Sequence, residues 1–331
     1  MRISASAPTR IDLAGGTIDI WPLYLFHPGA QTLNAAISLR ARAWIEPRPD
    51  DRVELLSEDT DRTVNLPFDQ LQDDTTLPLL GRLVHRFGVH GIRLTTRGES
   101  PAGAGIAGSS ALNVAVCGAL AAHLGGGDRE PESLLDIAKD VEAQVIRVPT
   151  GLQDYRPAMY GGIAALELRA GAPVRVPLDV DPQELEKRIV LCYTGEPRNS
   201  GTNNWEITKR HIDGDQHTFD CFERIRDTAA AMREALTRGD WDATAACLAT
   251  EWENRKRLAP GVTTAAIESL IARALAAGAS AAKVCGAGGG GCLFCLAPPD
   301  QVPAVREALA DGGARLLEFR IETTGLHVTR E

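Results

Sequence analysis

The pattern of apolar residues in the first half of the chain predicts strands interspersed with helices. Residues 33–45 alternate apolar and polar positions, as expected for a half-buried strand. Pro131 suits the first turn of a helix and Pro149 lies just beyond the end of one. Strands are predicted at Ile3–Ala7, Leu33–Ile45, Val53–Ser57, Gly91–Thr96, Ile163–Leu168 and Ile189–Tyr193, and helices at Leu77–Phe87, Ser109–Leu124 and Pro131–Val148.

The second half is richer in helical periodicity. It predicts helices at Trp205–His211, Phe219–Leu236, Trp241–Leu258, Thr263–Ala277 and Gln301–Ala310, and strands at Ala281–Cys285, Cys292–Ala297 and Leu316–Thr323. Turn-forming residues at 170–173 and 179–182 favour a division of the chain near residue 180. We therefore expect an α+β protein with domains at residues 1–180 and 181–331, and a functional site in the crevice between them.

A glycine-rich loop precedes the helix predicted at Ser109–Leu124. Residues 103–110 read Gly-Ala-Gly-Ile-Ala-Gly-Ser-Ser. Glycines let backbone N–H groups crowd against an anion, and the helix that follows adds the positive end of its dipole. Ser109 and Ser110 stand where a hydroxyl could reach a phosphate or its metal ion. The loop therefore predicts a phosphate-binding site.

Two glycine runs, Gly103–Gly108 and Gly286–Gly291, also match the spacing of dinucleotide-binding loops. The first run is followed by two predicted helices, so no strand–helix–strand unit closes within about 30 residues. The second run leads into a predicted strand instead of a helix. These contexts disfavour a dinucleotide fold and leave tight turns as the plain structural alternative for both runs.

Composition narrows the class of protein. The 331 residues are 44% hydrophobic and 24% charged, as in typical globular proteins. A net charge of −9, without a basic stripe, disfavours nucleic acid as a partner. No apolar run approaches the length of a membrane span and no signal-peptide core opens the chain, so we expect a cytoplasmic protein without a membrane partner.

Seven irregularly spaced cysteines indicate reduced thiols. Cys292 and Cys295 form a C-x-x-C pair, but on the predicted strand their side chains point to opposite faces. We expect buried structural thiols there, with no metal or redox site.

Three ordered blocks carry a family resemblance. They read Ala7-Pro-Thr-Arg-Ile-Asp-Leu-Ala-Gly-Gly-Thr-Ile-Asp19, Pro101-Ala-Gly-Ala-Gly-Ile-Ala-Gly-Ser-Ser-Ala111 and Lys283-Val-Cys-Gly-Ala-Gly-Gly-Gly-Gly-Cys292. Together they resemble the motifs of the GHMP kinases (galactokinase, homoserine kinase, mevalonate kinase, phosphomevalonate kinase). The segment Gly151-Leu-Gln-Asp154 resembles that of the sugar-kinase subgroup that includes D-glycero-D-manno-heptose 7-phosphate kinase.

This resemblance covers almost the whole chain. It implies the two-domain GHMP kinase fold, with a ribosomal S5 domain 2-like N-terminal domain and a ferredoxin-like α/β-plait C-terminal domain. It also implies an enzyme that transfers phosphate from ATP to an alcohol group. The sequence departs from the family pattern in two places, of which the first leaves only backbone contacts to phosphate at Gly108 and the second bears on the acceptor more than on the chemistry. Ala107 and Gly108 replace a glycine and a serine of the central motif, and Thr17-Ile18 precede Asp19 where the subgroup has Gly-Thr.

The resemblance also implies the catalytic and nucleotide-binding residues. Asp154 is the expected catalytic carboxylate, which takes or orients the proton of the attacking hydroxyl, and Arg10 is expected beside it. From the residues alone, Asp154 as a turn or capping aspartate and Arg10 as a solvated strand-end arginine remain alternatives. The expected ATP-binding residues are Pro101, Gly103, Ala104, Gly105, Ile106, Ala107, Gly108, Ser109 and Ser110.

Mg²⁺ is the second expected cofactor. Ser110 and Glu142 are its expected ligands, because this ion prefers hard oxygens together with nucleotide phosphates and because Glu142 matches the acidic position that precedes the Gly151–Asp154 segment in the family that the chain resembles. A capping serine and an exposed helix carboxylate are the alternatives, with Asp140 as the other candidate acid. The expected acceptor-binding residues are Thr17, Asp19, Gly286, Gly288 and Gly289.

The predicted function is an ATP-dependent kinase that acts on a sugar or sugar phosphate. A non-sugar alcohol such as mevalonate or an amino-acid hydroxyl is the alternative acceptor, and a non-catalytic ligand sensor is a further one. Arg198 and Ser200 are additional candidates for the crevice, and a homodimer is left open.

Overall fold

The apolar–polar alternation near the N-terminus forms the larger of the two sheets that the structure describes. The structure is a computed structural model, and it describes residues 2–125, 129–197 and 200–331. The strands are β1 (Ile3–Ala14), β2 (Gln31–Pro47), β3 (Val53–Ser57), β4 (Arg62–Leu66), β5 (Ile92–Gly98), β6 (Ile163–Glu167), β7 (Val174–Pro177), β8 (Ile189–Tyr193), β9 (Ala281–Val284), β10 (Cys292–Leu296), β11 (Arg315–Leu316) and β12 (His327–Arg330). The order of the larger sheet is β12-β1-β2-β5-β3-β4, with β6 paired to β2 and β7 to β6.

Strands β1 and β2 form a long antiparallel pair whose register changes twice. Ala7 lies opposite Ala41 in the regular part, and the register shifts between Pro8 and Thr9 and again between Asp12 and Ala14. Irregularities of this kind bend a strand and redirect its side chains. The segment between the two shifts carries Arg10 and Asp12, whose side chains are both buried. The irregular end of β1 thus turns two charged residues into the interior.

Helices cover the sheets and supply the second structural layer. Helix α2 follows the glycine loop and is apolar on nearly all sides, which is typical of a helix at the centre of a core. It packs against β1 and β2. The helices are α1 (Pro78–Phe87), α2 (Gly108–His123), α3 (Pro131–Ile146), α4 (Tyr155–Tyr160), α5 (Pro182–Glu186), α6 (Ser200–Ile212), α7 (Gln216–Arg238), α8 (Trp241–Leu258), α9 (Ala265–Ala276) and α10 (Val302–Asp311), with short 3₁₀ turns at Leu23–Phe26 and Phe68–Asp73.

The smaller sheet is antiparallel and has the order β11-β8-β10-β9. Its inner strands are β8 and β10, and Cys292 and Cys295 of β10 are buried. The apolar core that packs on one face of this sheet also includes Ile18 and Ile20, which come from the N-terminal half of the chain. The segment after β1 therefore lies where the two halves of the molecule meet.

Most predicted elements are confirmed to within a few residues, and the α+β class is confirmed. The predicted strand Leu316–Thr323 is wrong, because β11 ends at Leu316. Its continuation leaves the smaller sheet and reaches β2, where Ile321 forms an isolated bridge with Ile37. The last strand, β12, likewise returns to β1. The division at residues 180 and 181 falls between β7 and β8 and stays a prediction.

Candidate active site

The glycine loop before α2 borders a cavity of about 380 Å³. Gly103, Gly105 and Ala107 have φ angles of 66°, 77° and 62°, so the backbone coils tightly before the helix begins. The first N–H groups of α2 have no partner within the helix and carry its positive dipole end. The predicted nucleotide-binding residues that line the cavity are Pro101, Gly103, Ala104, Gly105, Ala107, Gly108, Ser109 and Ser110.

Ile106 is oriented differently from its neighbours in the loop. Its side chain is fully buried in the core, and its carbonyl oxygen accepts the backbone N–H of Arg10 at 3.0 Å. This residue therefore attaches the loop to β1, and it is not among the residues that line the cavity.

Arg10 and Asp154 are brought together as the sequence predicted. Nε and Nη2 of Arg10 donate to Asp154 Oδ1 at 3.0 and 2.5 Å, and Nη1 donates to the carbonyl of Gly105 at 2.8 Å. The Arg10 side chain is 1% exposed, which contradicts the alternative of a solvated strand-end arginine. Burial acts to lower the pKa of Arg10, but the charges of Asp154 and Asp12 raise it above its ordinary value.

Asp154 occupies the N-cap position of α4, yet its side chain makes no capping hydrogen bond. The carboxylate points to Arg10 and lies on the wall of the large cavity. It also lines a smaller neighbouring cavity of about 50 Å³. A capping role is therefore excluded, and the carboxylate stands where the two cavities meet.

Glu142, on α3, receives hydrogen bonds from residues of α2 and α4. Ser109 Oγ donates to Oε1 at 2.6 Å, while Oε2 accepts from Ser110 Oγ at 3.3 Å, Asn113 Nδ2 at 3.2 Å and the Tyr155 hydroxyl at 2.5 Å. Burial raises the pKa of Glu142 above its ordinary value. Ser110 and Glu142 thus place hard oxygen donors side by side on the cavity wall, a set that suits Mg²⁺.

The other predicted acid of α3, Asp140, is exposed and pairs with Lys139. It is not among the residues that line the large cavity. Ser110 does not cap α2, whose N-cap position is held by Ala107 without a side-chain hydrogen bond. The geometry therefore favours the predicted pair Ser110 and Glu142 over both alternatives.

Asp19 supports the segment that carries Asp154. Its Oδ2 accepts the backbone N–H groups of Leu152 and Gln153 at 2.7 and 2.9 Å. A Cβ atom added to Gly151 would lie 2.1 Å from the same oxygen, so this close approach requires glycine. Burial, and then the charge of Asp154, raise the pKa of Asp19 to about 6.

The smaller cavity joins residues of both halves of the chain. Thr17, a non-glycine residue with a φ of 74°, and Asp19 lie on its wall as predicted, and Gly151, Asp154 and Asn204 border both cavities. The full lining is Arg10, Thr17, Asp19, Ile20, Gly151, Gln153, Asp154, Asn204, Gly286 and Ala287.

The glycines of the third block, residues 283–292, have different surroundings in the structure. Gly286 lines the smaller cavity, as predicted for an acceptor-binding residue. Gly288 and Gly289 pack instead against the backbone at Val262 and Gly261, with Gly289 N donating to the Val262 carbonyl at 2.8 Å. Neither is among the residues that line the two cavities, so these glycines shape the loop that carries Gly286.

A buried charged network behind the site was missed by the sequence analysis. Lys283 Nζ lies 3.1 Å from Asp12 Oδ2 and 3.8 Å from Glu251 Oε1, and all three side chains are fully buried. Asp12 Oδ1 accepts the N–H of Gly286 at 3.0 Å, and Arg255 donates to the Gly286 carbonyl. A lysine and an aspartate within otherwise apolar strand segments were the available signal.

The network also changes how its acids titrate. Burial acts to raise the pKa of Asp12, but the charges of Lys283 and Arg10 lower it below its ordinary value. Burial raises the pKa of Glu251, whose Oε1 accepts the N–H of Gly15 at 3.2 Å. The network thereby ties the first glycine block to the third.

Comparison with known proteins assigns the family. The model of the GHMP kinase N-terminal domain matches residues 76–162, and that of the GHMP kinase C-terminal domain matches residues 232–315, which together are just over half of the chain. The chain belongs to the GHMP kinases. As a member of this family it is an ATP-dependent kinase that acts on a hydroxyl group.

Relatives of the chain include sugar kinases and mevalonate kinases. It is 29% identical to the D-glycero-alpha-D-manno-heptose 7-phosphate kinase of Campylobacter jejuni over 98% of each chain. It is 26% identical to the mevalonate kinase of Thermococcus sibiricus over 99% of this chain and 98% of that one. A crystal structure of a D-glycero-D-manno-heptose 1-phosphate kinase from Bacteroides thetaiotaomicron matches with a TM-score of 0.80 and 25% identity over 99% of both chains.

Two further expectations concern membrane-spanning helices and two additional candidates for the crevice. Among the residues with described structure, none of the helices combines the length and apolar character needed to cross a bilayer. Arg198 lies outside the described residues, as does the side chain of Ser200, so their predicted place in the crevice stays a prediction.

Proposed function

We propose that this GHMP kinase transfers the γ-phosphoryl group of ATP to a hydroxyl of a sugar or sugar phosphate. The observation that carries the proposal is the position of Asp154, which lines both cavities. A carboxylate at such a junction can face an acceptor hydroxyl in the smaller cavity while the terminal phosphate lies in the larger one. This arrangement supplies the proximity on which phosphoryl transfer depends.

The glycine loop binds the phosphates of ATP through backbone N–H groups and the N-terminus of α2. The negative charges of the phosphates are stabilised there, because the positive end of the helix dipole and the unpaired N–H groups both point toward them. The residues assigned to this role are those from Pro101 to Ser110, with Ile106 contributing through its attachment of the loop to β1.

Asp154 orients the acceptor hydroxyl and takes its proton. The acceptor oxygen forms a bond to the γ-phosphorus as the bond between that phosphorus and the β–γ bridging oxygen breaks, which releases ADP. The proton of the hydroxyl passes to the Asp154 carboxylate. Arg10 fixes that carboxylate through Oδ1 and places a positive charge beside the transferred group.

Magnesium fits the oxygen donors at the N-terminus of α2. Ser110 and Glu142 would hold the ion, because their oxygens lie together on the wall of the nucleotide cavity. When bound, the ion neutralises charge on the nucleotide phosphates.

A polyhydroxylated acceptor suits the lining of the smaller cavity. Thr17, Gln153 and Asn204 offer hydroxyl and amide groups that both donate and accept hydrogen bonds, and Asp19 and Gly286 complete the wall. The similarity to two kinases named for heptose phosphates supports a sugar. The similarity to mevalonate kinases supports a non-sugar alcohol as the second candidate acceptor.

An ADP-release assay over a panel of acceptors tests this proposal. The panel contains free hexoses with their 1- and 6-phosphates, free heptoses with their 1- and 7-phosphates, uronic acids, homoserine and mevalonate. We expect acceptor-dependent ADP release with at least one sugar or sugar phosphate. Release with mevalonate or homoserine alone would overturn the sugar assignment in favour of the second candidate. Absence of acceptor-dependent release with every compound would contradict both.

A further inference from the structure

The two carboxylate oxygens of Glu142 have unequal surroundings. Oε2 accepts three hydrogen bonds, and the shortest is 2.5 Å from the Tyr155 hydroxyl. Oε1 accepts only the hydroxyl of Ser109 among the residues that the structure describes. A carboxylate with one oxygen held by the protein keeps the other oxygen in a defined direction. Here Tyr155, Asn113 and Ser110 hold Oε2 and so set that direction.

The phenol of Tyr155 is itself fixed in place. Its side chain is buried, with 2% exposure, and packs in the core beside α2. The side chain of Thr150 lies close enough to interact with the phenol oxygen. Tyr155 also follows Asp154 directly, so a single turn of chain carries both the proposed catalytic carboxylate and the group that holds Glu142.

We propose that Tyr155 is a positioning residue that holds Glu142 Oε2 and thereby presents Oε1, the oxygen that Ser109 contacts, to the divalent cation of the ATP complex. This inference rests on the proposed function, which makes Glu142 a cation ligand. Residues that hydrogen-bond to metal ligands fix their orientation, and their removal typically costs about 10- to 100-fold in metal affinity. Because Tyr155 and Asp154 are adjacent, the cation ligand and the catalytic carboxylate keep a constant separation.

The chain contains a matched control on the same helix. Tyr160, at the other end of α4, donates its hydroxyl to Glu132 Oε1 at 2.9 Å. This pair has the same chemistry as Tyr155 and Glu142, but neither member lines the nucleotide cavity. Tyr160→Phe therefore removes an equivalent hydrogen bond without touching the site.

Binding of Mn²⁺, used as the probe cation in the presence of ADP, tests the inference without turnover. The fraction of free Mn²⁺ is measured by electron paramagnetic resonance for the wild type, Tyr155→Phe, Tyr160→Phe and Glu142→Gln. We expect Tyr155→Phe to weaken Mn²⁺ binding by about 10-fold, since phenylalanine keeps the ring but removes the shortest of the three hydrogen bonds to Oε2. Tyr160→Phe is expected to match the wild type. In the Glu142→Gln background, Tyr155→Phe should add no further loss, because it acts through Glu142.

The outcomes separate the two claims. Weaker Mn²⁺ binding in Glu142→Gln together with unchanged binding in Tyr155→Phe would overturn the role of Tyr155 and leave the proposed function standing. Unchanged binding in Glu142→Gln would overturn the cation assignment itself. Thr150→Val provides a second variant if Tyr155→Phe folds poorly. It removes the Thr150 hydroxyl next to the phenol at a half-buried position and is expected to weaken Mn²⁺ binding in the same direction. Unchanged binding would count against the proposal.

Discussion

Arg10 contacts Asp154 through a single oxygen. Both guanidinium hydrogen bonds end on Oδ1, at 3.0 and 2.5 Å, and Oδ2 accepts none from the residues that the structure describes. The buried arginine therefore fixes the direction of the carboxylate and leaves the other oxygen for the acceptor hydroxyl that we propose. The pair joins positions 144 residues apart, and the third arginine nitrogen holds the glycine loop through Gly105.

Replacement of Arg10 by lysine is expected to lower turnover strongly. Lysine keeps the positive charge but lacks the planar fork that reaches Asp154 and Gly105 together. A misplaced catalytic group can cost on the order of 10²-fold in rate, and we expect a fall in kcat of that size. Arg97→Lys, at an exposed position of β5, is the control. Steady-state kinetics in which the two variants behave alike would contradict the positioning role.

Glycine at position 151 is expected to be required for activity. An alanine Cβ there would lie 2.1 Å from Asp19 Oδ2, so either the Asp19 carboxylate or the segment that carries Asp154 would have to move, and either movement disrupts the hydrogen bonds between them. We expect Gly151→Ala to reduce kcat/KM by on the order of 10²-fold. Gly171→Ala is the matched control, since nothing lies within 4 Å of an added Cβ at that position. Equal activity of the two variants would refute the close approach.

Asp19 is expected to make folding stability depend on pH. Its pKa is raised to about 6 in the folded protein, so the native state binds more protons than the unfolded state between about pH 4 and 6. Stability contributed by this group is therefore present at low pH and falls as the pH rises through that window. A shift of this size corresponds to on the order of 3 kcal/mol.

Thermal unfolding between pH 4 and 7 measures this effect as the difference between the wild type and Asp19→Asn. Asparagine keeps an oxygen that can accept the N–H groups of Leu152 and Gln153 but does not titrate in this range. The stability of the variant relative to the wild type should rise as the pH increases from 4 to 6. A constant difference across the window would show that Asp19 titrates normally.

Lys283 is expected to be essential for stability. It is fully buried against Asp12 and Glu251, and its removal would leave two buried acids without their shared cation. Loss of one partner from a buried charge pair typically costs about 3–5 kcal/mol, and we expect Lys283→Met to lose that much free energy of unfolding in chemical denaturation. Lys187→Met, which breaks a surface pair with Glu184, should lose about 1 kcal/mol or less. Similar losses in both variants would contradict the structural role of the network.

The sequence predicted those parts of the site that lie within continuous motifs. The loop from Gly103 to Ser110 could be found because its glycines and the helix after it are neighbours in the chain. Asp154, Arg10 and Glu142 were predicted from the family resemblance, and their spacing alone would not have paired them. Long periodic elements such as α7 were predicted for the same local reason, since their apolar residues repeat over many turns.

Features that depend on distant pairing could not be predicted. Lys283 and Asp12 are 271 residues apart, and nothing in either local pattern specifies the other as its partner. The segment after β11 has an apolar pattern typical of a strand, but tertiary pairing with β2 ends it at Leu316. Asp19 was predicted to bind the acceptor, but it also accepts two backbone N–H groups. Those groups belong to Leu152 and Gln153, which lie 133 and 134 residues further along the chain, so the local sequence around Asp19 does not specify them.

The central claim, that Asp154 handles the proton of the acceptor hydroxyl beside bound ATP, is tested most directly with Asp154→Asn. Turnover is measured by ADP release with the best acceptor, and ATP binding by calorimetry, with Asp140→Asn as an exposed control of the same chemistry. We predict that kcat of Asp154→Asn falls by about 10²- to 10⁴-fold while its affinity for ATP stays that of the wild type. Turnover near the wild-type value in this variant would contradict the account.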